Sequence, residues 1–237
     1  MNYQKVFLRY EMKYILDEDE ELRIKELISP YMSLDAYGKS EIRNIDLDTP
    51  DYRLITRSLE KPEYKEKIRI RSYGRVDTDT PAFVELKKKY KGIVYKRRMM
   101  LPESTACDWL CTDSARPVDS QIAREIDYFK SFYYPLSKTV FLSYDREAYY
   151  SDSLQGFRVT FDRNIRSRCE NITLSGDTDG EPVLSPDLTL MEIKCLGGIP
   201  LFMANILSSN KIYKMSFSKY GTAYQKYIFP KRSIAYV

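Results

Sequence analysis

Three segments far apart in the chain carry one short pattern: Glu11-Met12-Lys13, Glu85-Leu86-Lys87 and Glu192-Ile193-Lys194. A fourth carries its cations in alternation: Lys65, Lys67, Arg69 and Arg71 interleave with Glu66, Ile68 and Ile70. In a strand, residues i and i+2 point to the same face. Each segment therefore puts charge on one face and mainly apolar residues on the other. One such strand is ordinary, because a solvated face reads the same way. Four of them, mostly cationic with a recurring Glu, point to a sheet surface built for a polyanion and a divalent metal.

Opposite the charged face lie Met12, Ile68, Ile70, Val84, Leu86, Met191 and Ile193. This apolar face has to be covered, and the rest of the chain supplies helices to cover it. The charged face is then either open to solvent or the lining of a barrel. Large antiparallel sheets tend to curl and close, which removes their edges. A closed sheet with cations inward makes a wet, positive tunnel. The pattern alone leaves the tunnel and the open face equally admissible.

The chain has 237 residues and a formal net charge of +4, so the clustering of charge matters more than its total. It contains no histidine. That excludes Ser-His-Asp and Cys-His nucleophile pairs, His-ligated metals and phosphohistidine. Catalysis is left to carboxylates, Lys, Arg, Tyr or a bound metal. Phosphoryl transfer between phosphates fits this restriction, because positioning and electrostatics carry most of it. The cysteines Cys107, Cys111, Cys169 and Cys195 are scattered, which argues against a zinc site and for reduced thiols. No apolar run approaches the roughly 20 residues of a membrane span, and Met1 to Tyr14 lacks a signal-peptide core. A cytoplasmic protein is expected.

The spacing predicts strands over Val6–Leu16, Ile42–Asp48, Tyr64–Tyr73, Ala82–Tyr90, Ile93–Leu101, Val140–Tyr149, Phe157–Asp162 and Leu188–Cys195. It predicts helices over Glu18–Tyr31, Tyr52–Leu59, Glu103–Thr112, Val118–Tyr134, Leu201–Ser208 and Tyr213–Tyr227. Asp17 and Glu20 form a capping-box signature, and Lys91-Gly92 marks a hairpin. Residues 175–187 read as a loop. No linker or tandem repeat divides the chain, so one α+β domain over 1–237 is the economical reading.

The strands resemble the VTC domain (vacuolar transporter chaperone), a branch of the CYTH or triphosphate tunnel metalloenzyme superfamily. The resemblance rests on segments in the family's order across nearly the whole chain. They include Arg9-Tyr10-Glu11-Met12-Lys13-Tyr14, Ser58-Leu59-Glu60-Lys61-Pro62, the run from Tyr64 to Gly74, and Val84-Glu85-Leu86-Lys87-Lys88-Lys89. Downstream come Ser143-Tyr144-Asp145-Arg146-Glu147-Ala148-Tyr149, Phe157 to Asp162, Met191-Glu192-Ile193-Lys194 and Phe217-Ser218-Lys219-Tyr220. The resemblance implies an eight-stranded antiparallel barrel, a tunnel with flanking helices, that binds triphosphate and a divalent cation such as manganese or magnesium. In the eukaryotic relatives the domain makes polyphosphate from the γ-phosphate of a nucleotide.

Carried over by motif, Lys13, Arg69, Arg71, Lys87, Lys89, Lys96 and Arg158 would bind phosphate, and Glu192 would bind the metal. Ser218 and Lys219 would sit near one tunnel mouth. Glu85 and Glu11 are further metal candidates, though each could instead orient neighbouring cations. Lys65, Lys67, Arg146 and Lys194 complete the expected substrate-binding set. Arg146 and Arg158 could also be outer ion pairs, and Ser218 an ordinary N-cap. Two departures stand out. Arg9 replaces the first acidic position of the superfamily's E-x-E-x-K, which favours one metal over two. Asp46 stands where the VTC pattern usually has an aromatic or aliphatic residue, and no role follows for it. No phosphoinositide-binding domain or membrane anchor is recognisable.

Three functions compete at this level. The leading one is a metal-dependent polyphosphate polymerase acting on ATP or another nucleoside triphosphate. The second is an inorganic or nucleoside triphosphatase, in which water replaces the phosphate acceptor. The third is a non-catalytic polyphosphate-binding module. Nucleic acid is disfavoured, because the aromatics form no evident stacking platform.

Overall fold

A computed structural model describes residues 10–77 and 80–234, with residues 37 and 232–234 described for their backbone alone. Residues 6–9 of the first expected strand, with Arg9, lie outside the described residues. The alternating segments become strands of one antiparallel sheet. These are β1 (Tyr10–Leu16), β2 (Ser33–Asp48), β3 (Tyr64–Tyr73), β4 (Pro81–Tyr90), β5 (Ile93–Pro102), β6 (Ser137–Tyr150), β7 (Arg158–Arg168), β8 (Glu181–Pro182) and β9 (Thr189–Cys195). The hydrogen-bonded order is β1-β9-β7-β6-β2-β3-β4-β5, with the two-residue β8 beside β7. Eight long strands thus form the path, and the sheet curls into a tunnel. Its end strands β1 and β5 share no backbone ladder among the described residues. The gap is spanned by side chains: Lys87 of β4 donates to Glu11 of β1 at 3.0 Å.

The helices are α1 (Glu18–Ile28), α2 (Arg53–Leu59), α3 (Glu103–Cys111), α4 (Gln121–Phe132), α5 (Leu201–Ser209), α6 (Lys219–Ala223) and α7 (Phe229–Ile234), with a π-helical turn over Tyr224–Ile228 between the last two. Local chemistry explains several of these limits. Asp17 accepts from the Glu20 amide at 2.8 Å and Glu20 accepts from the Asp17 amide at 3.0 Å, closing the capping box. Lys91 and Gly92 both take positive φ, 46° and 85°, as a two-residue hairpin between β4 and β5 requires.

The outward, apolar faces are covered by helices. Ile45, Ile68, Ile70, Val84 and Leu86 pack under Trp109 and Leu110 of α3 and Ile126 and Phe129 of α4. Tyr14, Val159, Met191 and Ile193 pack under Ile24 and Ile28 of α1 and Met203 and Leu207 of α5. A third cluster joins Leu142, Tyr144 and Leu190, which share the inward phase of Arg146 and Glu192, to Tyr220, Ala223, Tyr224 and Ile228. The C-terminal helices therefore pack over one end of the barrel.

Several expected boundaries differ, and three of them have a clear cause or consequence. The second strand begins at Ser33, not Ile42: its first part pairs with β6 across a bulge between Leu34 and Lys39, where Gly38 has a φ of 57°. Such a bulge hides alternation from a period-two reading. The strand expected to end at Asp162 runs to Arg168, past Asn164, whose φ of 51° breaks the phase. The helix expected from Tyr213 begins at Lys219. Residues before it run extended, with the Met215 amide donating to the Lys13 carbonyl at 2.8 Å.

Candidate functional site

A cavity of about 630 Å³ occupies the barrel interior. Lys and Arg outnumber Asp and Glu along its wall by eleven to five. Of the sequence-selected residues, Lys13, Lys67, Arg69, Arg71, Lys87, Lys96, Arg146, Arg158, Lys194, Ser218 and Lys219 line it, together with Glu11, Glu85 and Glu192. Lys65 and Lys89 do not. They face each other across β3 and β4, and Lys65 donates to the Ser58 carbonyl at 3.1 Å. Lys88, which interrupts the alternation, points to the outer face and pairs with Glu66 at 3.2 Å.

Two carboxylates organise the cations into two groups. Glu85 is 1% exposed. Arg69 donates to it through Nε and Nη2 at 2.9 and 2.8 Å. Lys96 approaches at 2.6 Å, Arg98 donates from the neighbouring strand, and Arg71 lies 3.9 Å away. Burial opposes ionisation of Glu85, but these four cations outweigh it and hold the carboxyl well below its usual range. Glu192 stands at the centre of the second group. Lys194 lies at 2.9 Å, Lys219 at 3.4 Å, Lys13 at 3.5 Å and Arg146 at 3.6 Å. Burial again opposes ionisation, and again the surrounding cations depress the carboxyl well below its usual range.

Glu192 is the expected metal residue, with Glu85 and Glu11 as further candidates, and the structure does not bring the three together. No three His, Cys, Asp or Glu side chains converge among the described residues. Glu85 sits among Arg69, Arg71, Lys96 and Arg98, away from the other two, which matches its alternative role of orienting neighbouring cations. Glu11 and Glu192 remain neighbours and share the ammonium of Lys13, at 3.8 and 3.5 Å. The protein thus already holds a positive charge between these two carboxylates. Magnesium-type ions typically take one or two carboxylates, with water and substrate phosphate completing the shell. Glu192 and Glu11 fit an ion bound in that manner.

Several residues in or against the cavity wall have no site role in the sequence reading. Asp162 receives a two-pronged contact from Arg146, with both bonds at 2.6 Å, and a third from Lys219 at 2.6 Å. Asn44 and Tyr144 hold Arg71, accepting from its Nε at 2.7 Å and its Nη2 at 3.0 Å. Thr160 faces Glu192 across β7 and β9, and its buried hydroxyl has no hydrogen-bond partner. A buried polar group without a partner is uncommon, and this one lines the cavity. The signal was present in each case: Asp162 and Thr160 share the phase of Arg158, Tyr144 that of Arg146, and Arg98 that of Lys96.

The C-terminal segment is tied to the cavity by polar contacts. Lys13 donates to the Phe217 carbonyl at 2.8 Å, and Lys67 donates to the Ser218 hydroxyl at 3.2 Å. Ser218 also caps α6, accepting from Gly221 at 3.1 Å. Tyr220 donates to Asp48 at 2.9 Å, and Asp48 accepts from the Leu54 and Ile55 amides that open α2. Arg158 lines the cavity and pairs with Asp35 at 2.8 Å.

Burial pushes the Lys67 ammonium down to about 8; Asp46 works against that shift, while Lys13, Lys87 and Lys65 add to it. A bound polyanion would favour the charged form, so binding near this pH should draw a proton onto Lys67. Affinity for tripolyphosphate is then expected to fall as pH rises through this value. Calorimetry at pH ~8 in buffers of different ionisation heat should show the wild type taking up about half a proton more than Lys67→Met. Equal uptake in the two proteins would show that Lys67 is not the group.

The comparisons with known proteins agree with this geometry. Comparison with curated proteins gave no match. Among solved structures, a Bacillus halodurans protein assigned as an adenylate cyclase superposes with a TM-score of 0.56 at 16% identity, covering 95% of this chain and 100% of its own. A Hippeastrum protein, assigned as an adenylyl cyclase and described as having a dominant triphosphatase activity, gives 0.51 at 15% identity, covering 92% and 95%. At such identities these likenesses establish the fold. No helix among the described residues is long and apolar enough to cross a membrane. The family model of the VTC domain matches residues 8–228, nearly the whole of the described barrel and its C-terminal helices, and the chain belongs to that family.

Proposed function

We propose that the chain is a metal-dependent polyphosphate polymerase, transferring the γ-phosphate of ATP or another nucleoside triphosphate to a growing polyphosphate chain. The observation that carries this reading is the convergence of eleven Lys and Arg side chains on one cavity. Such a wall suits a chain of phosphates, and the membership in the VTC family directs the reading toward polymer synthesis.

The residues divide the work. Arg69 and Arg71 present planar forks to phosphate oxygens. Glu85 and Asn44 fix their orientation, so little reorganisation is needed when a substrate arrives. Lys13, Lys194, Arg146 and Lys219 offer charge around Glu192 for the oxygens on which negative charge builds. Lys67, Lys87, Lys96 and Arg158 extend the cationic wall along the cavity. A divalent ion held by Glu192, with Glu11 beside it, would polarise phosphate oxygens when bound. No protein nucleophile is required, because an oxygen at the end of the acceptor chain forms the new bond in line with the leaving diphosphate.

One feature favours a second reading, hydrolysis of triphosphate. The C-terminal helices pack against inward-facing Leu142, Tyr144 and Leu190, which restricts one end of the barrel as a route for a long product. The two readings are separated by incubating the pure protein with ATP and manganese, then reading orthophosphate and chain length together. Polymer growth with or without an added primer is expected. Orthophosphate without any chain growth, across several nucleotides and primers, would overturn the polymerase reading.

A further inference from the structure

One buried carboxylate in the cavity remains without a task. Asp46 lines the wall on β2, is 6% exposed, and lies opposite Arg69 in the strand register. Every other cavity carboxylate is engaged: Glu11 by Lys87 at 3.0 Å, Glu85 by Arg69 at 2.8 Å, Glu192 by Lys194 at 2.9 Å and Asp35 by Arg158 at 2.8 Å. Asp46 has no hydrogen bond and no ion pair among the described residues. Arg69, the partner nearest in register, turns its guanidinium to Glu85 instead. A buried carboxylate left unpaired is costly, and a counter-ion role would have placed it in contact with a cation. It sits instead beside Lys67 and Arg69, whose charge would draw a phosphate to the same place.

We propose that Asp46 holds a water against the terminal phosphorus of a bound triphosphate and accepts its proton, so that the cavity also hydrolyses triphosphate. This rests on the reading that the cavity binds triphosphate. In the step, the water oxygen forms a bond to phosphorus and the bond from phosphorus to the bridging oxygen breaks. The bridging oxygen leaves with the electron pair on the diphosphate product, and the water's proton passes to the Asp46 carboxylate. The neighbours support the assignment. Burial raises Asp46 from its ordinary value; Arg69, Lys67 and Arg71 oppose this and Asp48 adds to it. Glu11, Glu85 and Glu192 are all depressed and are correspondingly weak bases. Tyr220 of α6 also faces Asp46, and burial and Asp48 keep its phenol protonated. Hydrolysis should therefore fall on the acid side as Asp46 protonates, and on the alkaline side as Lys67 loses its charge.

The test uses the full chain with tripolyphosphate or ATP, manganese and ¹⁸O-labelled water. Labelled orthophosphate and chain-incorporated phosphate are read separately in wild type, Asp46→Asn and Asp46→Leu. Both variants remove charge from a buried, unpaired position, and tripolyphosphate binding in the same samples reports folding. Expected are a loss of labelled orthophosphate of about 100-fold, in the range of general-base contributions, and binding at least as tight as wild type. Chain transfer should change by less than about threefold, since it needs no base. Hydrolysis that survives in both variants would overturn the proposal, as would equal loss of hydrolysis and chain transfer with binding intact. A wild type that builds chains and releases no labelled phosphate also overturns it, while leaving the polymerase reading standing. A wild type that releases labelled phosphate through Asp46 and builds no chain supports it and removes the polymerase reading.

Discussion

Glu85→Gln is expected to destabilise the barrel strongly. The carboxylate neutralises Arg69, Arg71, Lys96 and Arg98 at one buried point. Glutamine preserves shape but leaves four cations facing one another. Breaking a buried ion pair typically costs about 3–5 kcal/mol. The side chains of Arg69, Lys96 and Arg98 retain about a third of their exposure (31%, 30% and 28%). Solvent therefore screens part of the repulsion, and the lower end, about 3 kcal/mol, is the expected loss. That is a large share of a typical domain's stability.

Two further readings make this specific. Tripolyphosphate should restore much of the lost thermal stability, because it supplies negative charge to the same cations and binds only the folded protein. The pH dependence has a fixed sign. The Glu85 carboxyl is depressed on folding, so its contribution is full above the ordinary carboxylate pKa and is lost progressively as pH falls below it. The stability gap between wild type and Glu85→Gln should hold at neutral pH and close in acid. A variant as stable as wild type at pH 7, with no response to tripolyphosphate, would show that Glu85 is not the counter-ion of this group.

The second large effect is on turnover. Glu192→Gln keeps size and much of the hydrogen bonding but removes the charge that gathers Lys13, Lys194, Arg146 and Lys219. Triphosphate affinity should be kept or rise, since the cavity becomes more positive. Turnover should fall by about 100-fold or more, the scale of losing one group that acts on the transition state. Measurement at saturating nucleotide across a manganese titration separates the two quantities. Glu192 differs from Glu85 in what it contributes. It neighbours Glu11, so its loss should shift the manganese dependence, whereas Glu85→Gln should alter stability without doing so. Near-wild-type turnover in Glu192→Gln at every metal concentration would remove Glu192 from the metal site.

How much of this was legible in the chain depends on what alternation can encode. The inward phase of β1, β3, β4 and β9 is written in Lys13, Arg69, Arg71, Glu85, Lys87 and Glu192, because side-chain direction in a regular strand depends on parity alone. The absence of histidine excluded whole reaction classes before any fold was considered. Parity fails where the backbone slips: Gly38 and Asn164 sit at irregularities, and both strands continue past the limits that alternation predicts. Nor does parity say which charges meet. Glu85, Glu11 and Glu192 look alike as Glu-x-Lys, yet Glu85 and Glu192 gather two separate sets of four cations, and only Glu192 shares one of them, Lys13, with Glu11. Asp46 reads in sequence only as one of two acids, with Asp48, that alternate with Ile45 and Leu47. Only the pairing of β2 with β3 brings it beside Lys67 and Arg69, with Arg69 already committed to Glu85. The local pattern thus determined the strands, their charged faces and the kind of ligand they suit. The pairing of charges across strands, and the closing of one end by Ser218, Lys219 and Tyr220, belong to the tertiary structure, because they depend on distances between residues far apart in the chain.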